Sequence, residues 1–245
     1  MPYRRLPNTD QSRLRALRIA LEKLENQDFT HQIVNFKTIH EAESILGVFE
    51  NQMQQYRQAL KNQVEANKRY QKLVGNVRMY ISHFIQVLNL SVIRGDIKKE
   101  HKKLYQLDPE VNNVPDLTSE AALLHWGKCI IDGENERLRL GGFPIYNPTI
   151  AKVKVHYEIF KENKLNQKLY QSNTSRTLED LGNLRIKVDE IIIDIWNQVE
   201  ANFKDEKPYS KIQKCKDFGL IYYYRKGEKK LLPEDAEEQK KINVS

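Results

Sequence analysis

Residues 74–93 read Val74-Gly-Asn-Val77-Arg-Met-Tyr-Ile81-Ser-His-Phe84-Ile85-Gln-Val-Leu88-Asn-Leu-Ser-Val92-Ile93. Their apolar positions recur at steps of three and four, the spacing of one face of an α-helix. Traced toward the amino terminus, the same face collects Ile45, Phe49, Met53, Tyr56, Leu60 and Val64, then a polar interval, then Tyr70. The phase is never lost. The pattern predicts a single amphipathic helix over 40–93, roughly 80 Å long at 1.5 Å per residue. Arg94-Gly95-Asp96 supplies its stop, with Gly95 suited to the left-handed position that follows a helix end. Gly75 is the one point where a kink is expected.

A second element of the same kind starts at Asn147-Pro148, as N-cap and first-turn proline, and carries Ile150, Val153, Tyr157 and Phe160. It crosses a polar stretch at 163–176 and resumes at Leu178, Leu181, Leu184, Val188, Ile191, Ile192, Ile195 and Val199. Two such helices predict an all-α fold, an elongated antiparallel helical bundle. Smaller elements fill in around them. Pro2 and Pro7 hold the first residues extended, and Asn8, Thr9 and Asp10 offer caps for a helix carrying Leu14, Leu17, Leu21 and Leu24. Residues 29–36 form a connector, and 97–107 a short Lys-rich helix. Thr118 or Ser119 caps a helix that runs past Gly133 to the Gly141-Gly142-Phe143-Pro144 turn. Residues 204–218 read as a second Lys-rich helix interrupted by Pro208, and 220–224 as a short strand rich in β-formers. The expected organisation is an arm and helix (1–37), a first helical unit (38–117), a connecting helix (118–146), a second unit (147–224) and a charged tail (225–245).

Gly75-Asn76-Val77-Arg78 recurs 107 residues later (182 minus 75) as Gly182-Asn183-Leu184-Arg185. Apolar positions 74, 77, 81, 84, 85, 88 and 92 map by the same offset onto 181, 184, 188, 191, 192, 195 and 199. This predicts an internal repeat of two related helix-plus-arm units with pseudo-two-fold character.

The 40 basic and 33 acidic residues leave a net charge of +7, which admits an anionic partner without demanding one, since most of these charges must lie on mixed-sign helical faces. Cys129 and Cys215 form no CxxC or Cys/His cluster, which argues for a reducing, cytoplasmic setting. No Sec-type leader or apolar run of spanning length is present, so no membrane partner is expected.

No catalytic chemistry can be read. His83, His125 and His156 lack HExxH or ExxH neighbours, and His83 reads as a core or interface residue. Asp189, Glu190 and Asp194 fall on different helical faces and read as a solvated stripe. Neither a phosphate-cradling nor a nucleophile-elbow motif occurs. No catalytic, metal or cofactor residue is assigned, and an enzyme is not expected.

The features that suggest a partner are basic and aromatic. Tyr3, Arg4 and Arg5 lie on the arm, Arg137 and Arg139 precede the Gly-Gly turn, and Tyr222, Tyr223, Tyr224, Arg225 and Lys226 are followed by Lys229 and Lys230. Arginine forks beside aromatic faces suit phosphate and base stacking, and equally suit protein interfaces. The polar intervals at 63–72 and 163–176 are expected to meet at a waist, with Asn67, Arg69, Asn166 and Gln167 satisfying one another. The expected partner is another copy of the chain. RNA or the ribosome is the alternative, and no DNA-binding motif is found.

The strings Tyr80-Ile-Ser-His-Phe-Ile-Gln-Val-Leu-Asn-Leu90, Arg94-Gly95, Leu124-His-Trp-Gly, Tyr146-Asn-Pro-Thr-Ile-Ala-Lys-Val-Lys-Val-His-Tyr157 and Val188-Asp-Glu-Ile-Ile, with Ile195-Trp196, carry a resemblance that spans most of the chain. They resemble uncharacterised all-helical proteins of Bacteroidetes, a group with no assigned activity. The resemblance implies a cytosolic bacterial setting and an all-α fold.

Overall fold

The computed structural model describes residues 2–26, 32–228 and 231, and they form an all-α bundle. The elements are β1 (Tyr3–Arg4), α1 (Asp10–Glu25), α2 (Phe36–Ile93), a 3₁₀ helix (Lys99–Tyr105), α3 (Glu120–Arg139), α4 (Ile150–Asn202), α5 (Pro208–Asp217) and β2 (Tyr222–Tyr223). The chain divides into two compact units, one of residues 1–58 and 175–245, the other of residues 59–174. Each long helix lends one stretch to each unit, so this division cuts across the helix-plus-arm units drawn from the sequence.

In the first unit, α1 starts where Thr9 and Ser12 cap each other. The Ser12 amide donates to Thr9 Oγ1 (3.2 Å), and the Thr9 amide donates to Ser12 Oγ (3.0 Å). Its buried row of Leu14, Leu17, Leu21 and Leu24 packs with Phe49 and Met53 of α2 and with Val188, Ile192, Ile195, Trp196 and Val199 of α4. Burying each such side chain stabilises by about 1.5–3 kcal/mol. Two bidentate ion pairs fix the docking. Arg185 donates to both carboxylate oxygens of Asp10 (2.7 and 2.8 Å), and Arg13 does the same to Asp189 (2.8 and 2.8 Å). Pro208 opens α5 rather than interrupting a helix, because the missing N–H of proline costs nothing at a first helical position. Of the expected connector at 29–36, residues 29–31 lie outside the described residues, as do Lys229, Lys230 and most of the tail.

In the second unit, Val77, Ile81, Phe84, Ile85 and Leu88 of α2 pack with Val153, Tyr157 and Phe160 of α4 and with Leu123 and Ile130 of α3. The Lys-rich segment after Gly95 forms a 3₁₀ turn, and α3 packs on it. Gly133 does not interrupt α3, because close packing requires it there. A Cβ at that position would lie 2.7 Å from the Tyr105 ring and 2.8 Å from the Leu104 carbonyl oxygen. Gly95 takes the left-handed conformation (φ +83°), and the Asp96 amide reaches back to the Ser91 carbonyl (2.9 Å), which closes α2. Gly75 lies inside the unbroken helix with open space beside it. α4 begins at Ile150, two residues later than the Asn147-Pro148 pair suggested, and Thr149 Oγ1 accepts from the Lys152 amide (3.4 Å). No described helix is long and apolar enough to cross a membrane.

Two outcomes follow from this packing. Gly133→Ala should destabilise the chain by about 1–3 kcal/mol, read as a lowered Tm, because the Tyr105 ring and a backbone carbonyl must both move. The hydrogen bond from Arg185 holds the Asp10 carboxyl below its usual 3.8, so its stabilisation is present above that value and lost as pH falls through the folded one. Asp10→Asn should therefore lower Tm at neutral pH, and the gap to the unsubstituted chain should close as acid titration passes below 3.8.

Candidate partner interface

The two ends of the described chain meet in the first unit. β1 and β2 pair antiparallel, with Tyr3 opposite Tyr223 and Arg4 opposite Tyr222, and the Arg5 amide extends the ladder to the Ile221 carbonyl (3.0 Å). Side chains alternate across a strand, so the pairing sorts the basic and aromatic residues into two sets. Arg4 and Tyr222 point inward. Arg4 donates to Glu200 Oε2 (3.1 Å) and lies over the Trp196 ring (5.8 Å), and the Tyr222 hydroxyl donates to Glu200 Oε1 (2.6 Å). Burial, together with the hydrogen bond that the Glu200 carboxylate accepts from it, pushes the Tyr222 phenol well above its ordinary value. This set anchors the strands to α4.

The other set faces out. Arg225 sits over the Tyr3 ring (5.9 Å), the Tyr3 and Tyr223 rings lie 6.3 Å apart, and Arg5 sits over Tyr223 (5.4 Å). Arg225, Tyr3, Tyr223 and Arg5 thus form one exposed ladder, two neighbouring rings with a cation at each end, built from segments more than 200 positions apart in sequence. Lys226 is exposed beside it, while Tyr224 is half-buried and its hydroxyl accepts from the Leu231 amide (3.4 Å).

Arg137 and Arg139, expected together on the surface, separate. Arg139 is exposed and pairs with Glu136 (2.7 Å). Arg137 is 2% exposed, which removes it from the surface set. Its guanidinium donates to Glu134 (2.7 and 2.9 Å), to the Tyr105 hydroxyl (2.8 Å) and to the Phe143 carbonyl (2.7 Å). The Tyr105 hydroxyl also donates to Glu134, and burial together with that carboxylate pushes the phenol far up. Sequence gave no sign of this network, because spacing cannot pair Tyr105 with Glu134, 29 residues away. A buried guanidinium beside a carboxylate is tolerated when it is well hydrogen-bonded, and here Nε and Nη2 are both engaged.

The polar intervals do meet in the second unit. Gln167 Nε2 donates to Asn67 Oδ1 (3.0 Å), while Arg69 and Asn166 are exposed. Gln167 Oε1 is buried with no hydrogen-bond partner.

The remaining titratable groups fit structural roles. Asp189 is spent on Arg13, and Asp194 accepts the Thr38 hydroxyl (2.6 Å). His83 is exposed rather than in the core, and His156 stacks on Tyr80 (4.1 Å). Cys129 lies 3.7 Å from His125 Nε2, but burial pushes its thiol up, and Cys215 likewise, which disfavours the nucleophilic thiolate. No group of three or more His, Cys, Asp or Glu positioned for a metal occurs among the described residues.

Comparison of the chain with family models, with curated proteins and with solved structures finds no match. Any functional reading therefore rests on the geometry itself.

Removing Glu200 should free Arg4 and Tyr222 together. In Glu200→Ala, hydrogen exchange at the Arg5 amide should accelerate at least several-fold while amides in the core of α4 stay protected. Unchanged protection at Arg5 would show that the strand pair holds without its anchor.

Proposed function

We propose that the chain is a non-catalytic helical structural or interaction protein that self-associates through its long helices in the second unit. One observation carries this reading. Over residues 59–69 of α2 and 161–174 of α4 the buried side chains are small, Ala59, Ala66 and Thr174, and they belong to neither apolar core. Around them the larger apolar side chains face solvent. Leu60 and Val64 are exposed on α2, and Leu165 and Leu169 are 62% and 69% exposed on α4. Each pair is spaced four residues apart and forms a ridge along its helix. A row of this kind on long helices is what a second helix pair buries, at about 1.5–3 kcal/mol per large side chain.

The ordered parts of each unit support reading the chain as a duplication. The Gly75 block lies in the second unit and the Gly182 block in the first, and the apolar positions after each supply that unit's core. Arg78 and Arg185, matched by the 107-residue offset, each hold the start of a covering helix. Arg78 donates to the carbonyls of Leu117 and Thr118 just before α3 (3.0 and 3.0 Å), and Arg185 to Asp10 at the first residue of α1. A cytoplasmic setting belongs to the same proposal, supported by two buried free thiols.

A second reading is favoured by the outward ladder. Arg5, Tyr223, Tyr3 and Arg225 offer two ring faces and two guanidinium groups, the chemistry by which single-stranded RNA is held without a sequence motif. Fluorescence anisotropy with single-stranded RNA at about 50 mM salt, where phosphate contacts are strongest, distinguishes it. Absence of binding there removes it.

For self-association, light scattering after size exclusion should give a mass at least twice the 28.9 kDa of the chain. The double variant Leu165→Glu/Leu169→Glu should return the monomer with unchanged helical circular dichroism. A monodisperse monomer of the unsubstituted chain at micromolar concentration defeats the reading.

A further inference from the structure

We propose that the loop 140–146 is a surface anchor by which the chain attaches to an anionic lipid bilayer. The loop reads Leu140-Gly-Gly-Phe143-Pro-Ile145-Tyr146, and it turns its largest side chains outward. Phe143 is 86% and Tyr146 77% exposed, with Leu140 and Pro144 exposed beside them, while Ile145 between the two aromatics is buried. A free loop of this composition would fold its rings back onto the protein, since exposed apolar surface is unfavourable in water.

This loop is held open from beneath. The buried Arg137 donates to the Phe143 carbonyl (2.7 Å), the buried Glu134 accepts from the Ile145 amide (3.3 Å), and the Gly142 amide donates to the Arg137 carbonyl (3.1 Å). Gly141 takes the left-handed conformation (φ +87°), and a Cβ at Gly142 would lie 2.6 Å from Arg137 Nη1 and 3.0 Å from the Arg137 carbonyl oxygen, so neither accepts a larger residue without strain. The backbone on both sides of Pro144 is thereby tied to a buried ion pair of α3, which sets Phe143 and Tyr146 as fixed protrusions.

The charge around the loop is one-sided. From Arg137 to Tyr157 the sequence contains no acidic residue. Lys152 and Lys154 are exposed in the first turns of α4 and, among the described residues, pair with no carboxylate; the Lys152 ammonium lies over the Tyr80 ring (5.3 Å), whereas Arg139 is balanced by Glu136. Protruding rings with flanking lysines are the chemistry of an interfacial anchor. The rings enter at headgroup depth and the ammonium groups meet anionic lipid. A bilayer accepts protruding side chains of any outline, while a folded partner must supply a matching cavity. A surface contact of this kind needs no spanning helix.

The test is co-sedimentation of the full chain with vesicles of phosphatidylcholine alone and of phosphatidylcholine mixed with phosphatidylserine. The chain should pellet with the mixed vesicles, less with the neutral ones, and less as salt rises. Phe143→Ser, whose side chain contributes nothing to the core, should keep the circular dichroism and Tm of the unsubstituted chain and weaken partition by about tenfold. Phe143→Trp should bind and show a blue-shifted emission on mixed vesicles. The proposal is overturned if the chain stays in the supernatant with mixed vesicles, or if Phe143→Ser pellets as well as the unsubstituted chain. It is also overturned if Phe143→Ser loses oligomeric mass while no vesicle binding is seen, which would assign the loop to a second copy. Because self-association is argued from Leu165 and Leu169, failure of one reading leaves the other standing.

Discussion

Two helices of 58 and 53 residues carry apolar faces, each broken by one polar interval, and every part of those faces must find cover or remain wet. That constraint organises the fold. In the first unit the cover comes from α1 and from the segment after α4, with Leu14, Leu17 and Leu21 on one side and Cys215, Phe218 and Leu220 on the other. In the second it comes from α3 and the 3₁₀ helix, with Leu123, Ile130 and Tyr105. Where neither kind of cover supplies core residues, over 59–69 and 161–174, the helices approach through alanine and threonine and leave leucines outside. Isolated helices gain little from backbone propensity alone, so this uncovered stretch is where the proposed self-association would bury apolar surface.

The second unit carries an additional cost at its centre. Glu134 and Arg137 are both buried, and a lone charge in that position is strongly unfavourable, whereas a well hydrogen-bonded pair is close to neutral relative to an apolar substitute. Such a pair therefore contributes little net stability by itself. What it does contribute is direction. A guanidinium and a carboxylate impose angles that leucines in the same space would not, and those angles fix the 3₁₀ helix through Tyr105 and the 140–146 loop through its backbone. Lys102 behaves similarly on a smaller scale. It is buried, its ammonium held by the Val111 carbonyl and Asn112 Oδ1 (2.5 and 3.1 Å), and desolvation lowers its pKa. Polar groups in the interior thus set loop geometry, and apolar rows set helix packing.

The chain ends show the same partition on the surface. Glu200 is a single carboxylate shared by Arg4 and Tyr222, so one residue of α4 holds both terminal strands. Strand alternation then decides which of the basic and aromatic residues are structural and which are offered outward. Residues with identical chemistry, Arg4 and Arg5 or Tyr222 and Tyr223, end with different roles because they differ by one position along a strand.

The periodicity of Val74 to Ile93 and of Leu178 to Val199 was enough by itself to determine the all-α class and the two long helices, because a 3.6-residue repeat sustained over many turns has no other regular solution. Sequence also determined the stop of α2 just before Gly95, which takes the left-handed conformation suited to glycine, and the basic and aromatic character of the segments around Tyr3 and Tyr223. It did not determine which of those residues face out, since that depends on pairing Tyr3 with Tyr223. It misjudged Arg137, a surface residue by composition but a buried one by virtue of Glu134 and Tyr105, and it read Pro208 as a break where the structure makes it a start. The covering helices, the buried ion pair and the exposed leucine ridges were decided by tertiary structure alone. Each depends on which distant segment lies alongside, and a local pattern carries no record of that contact.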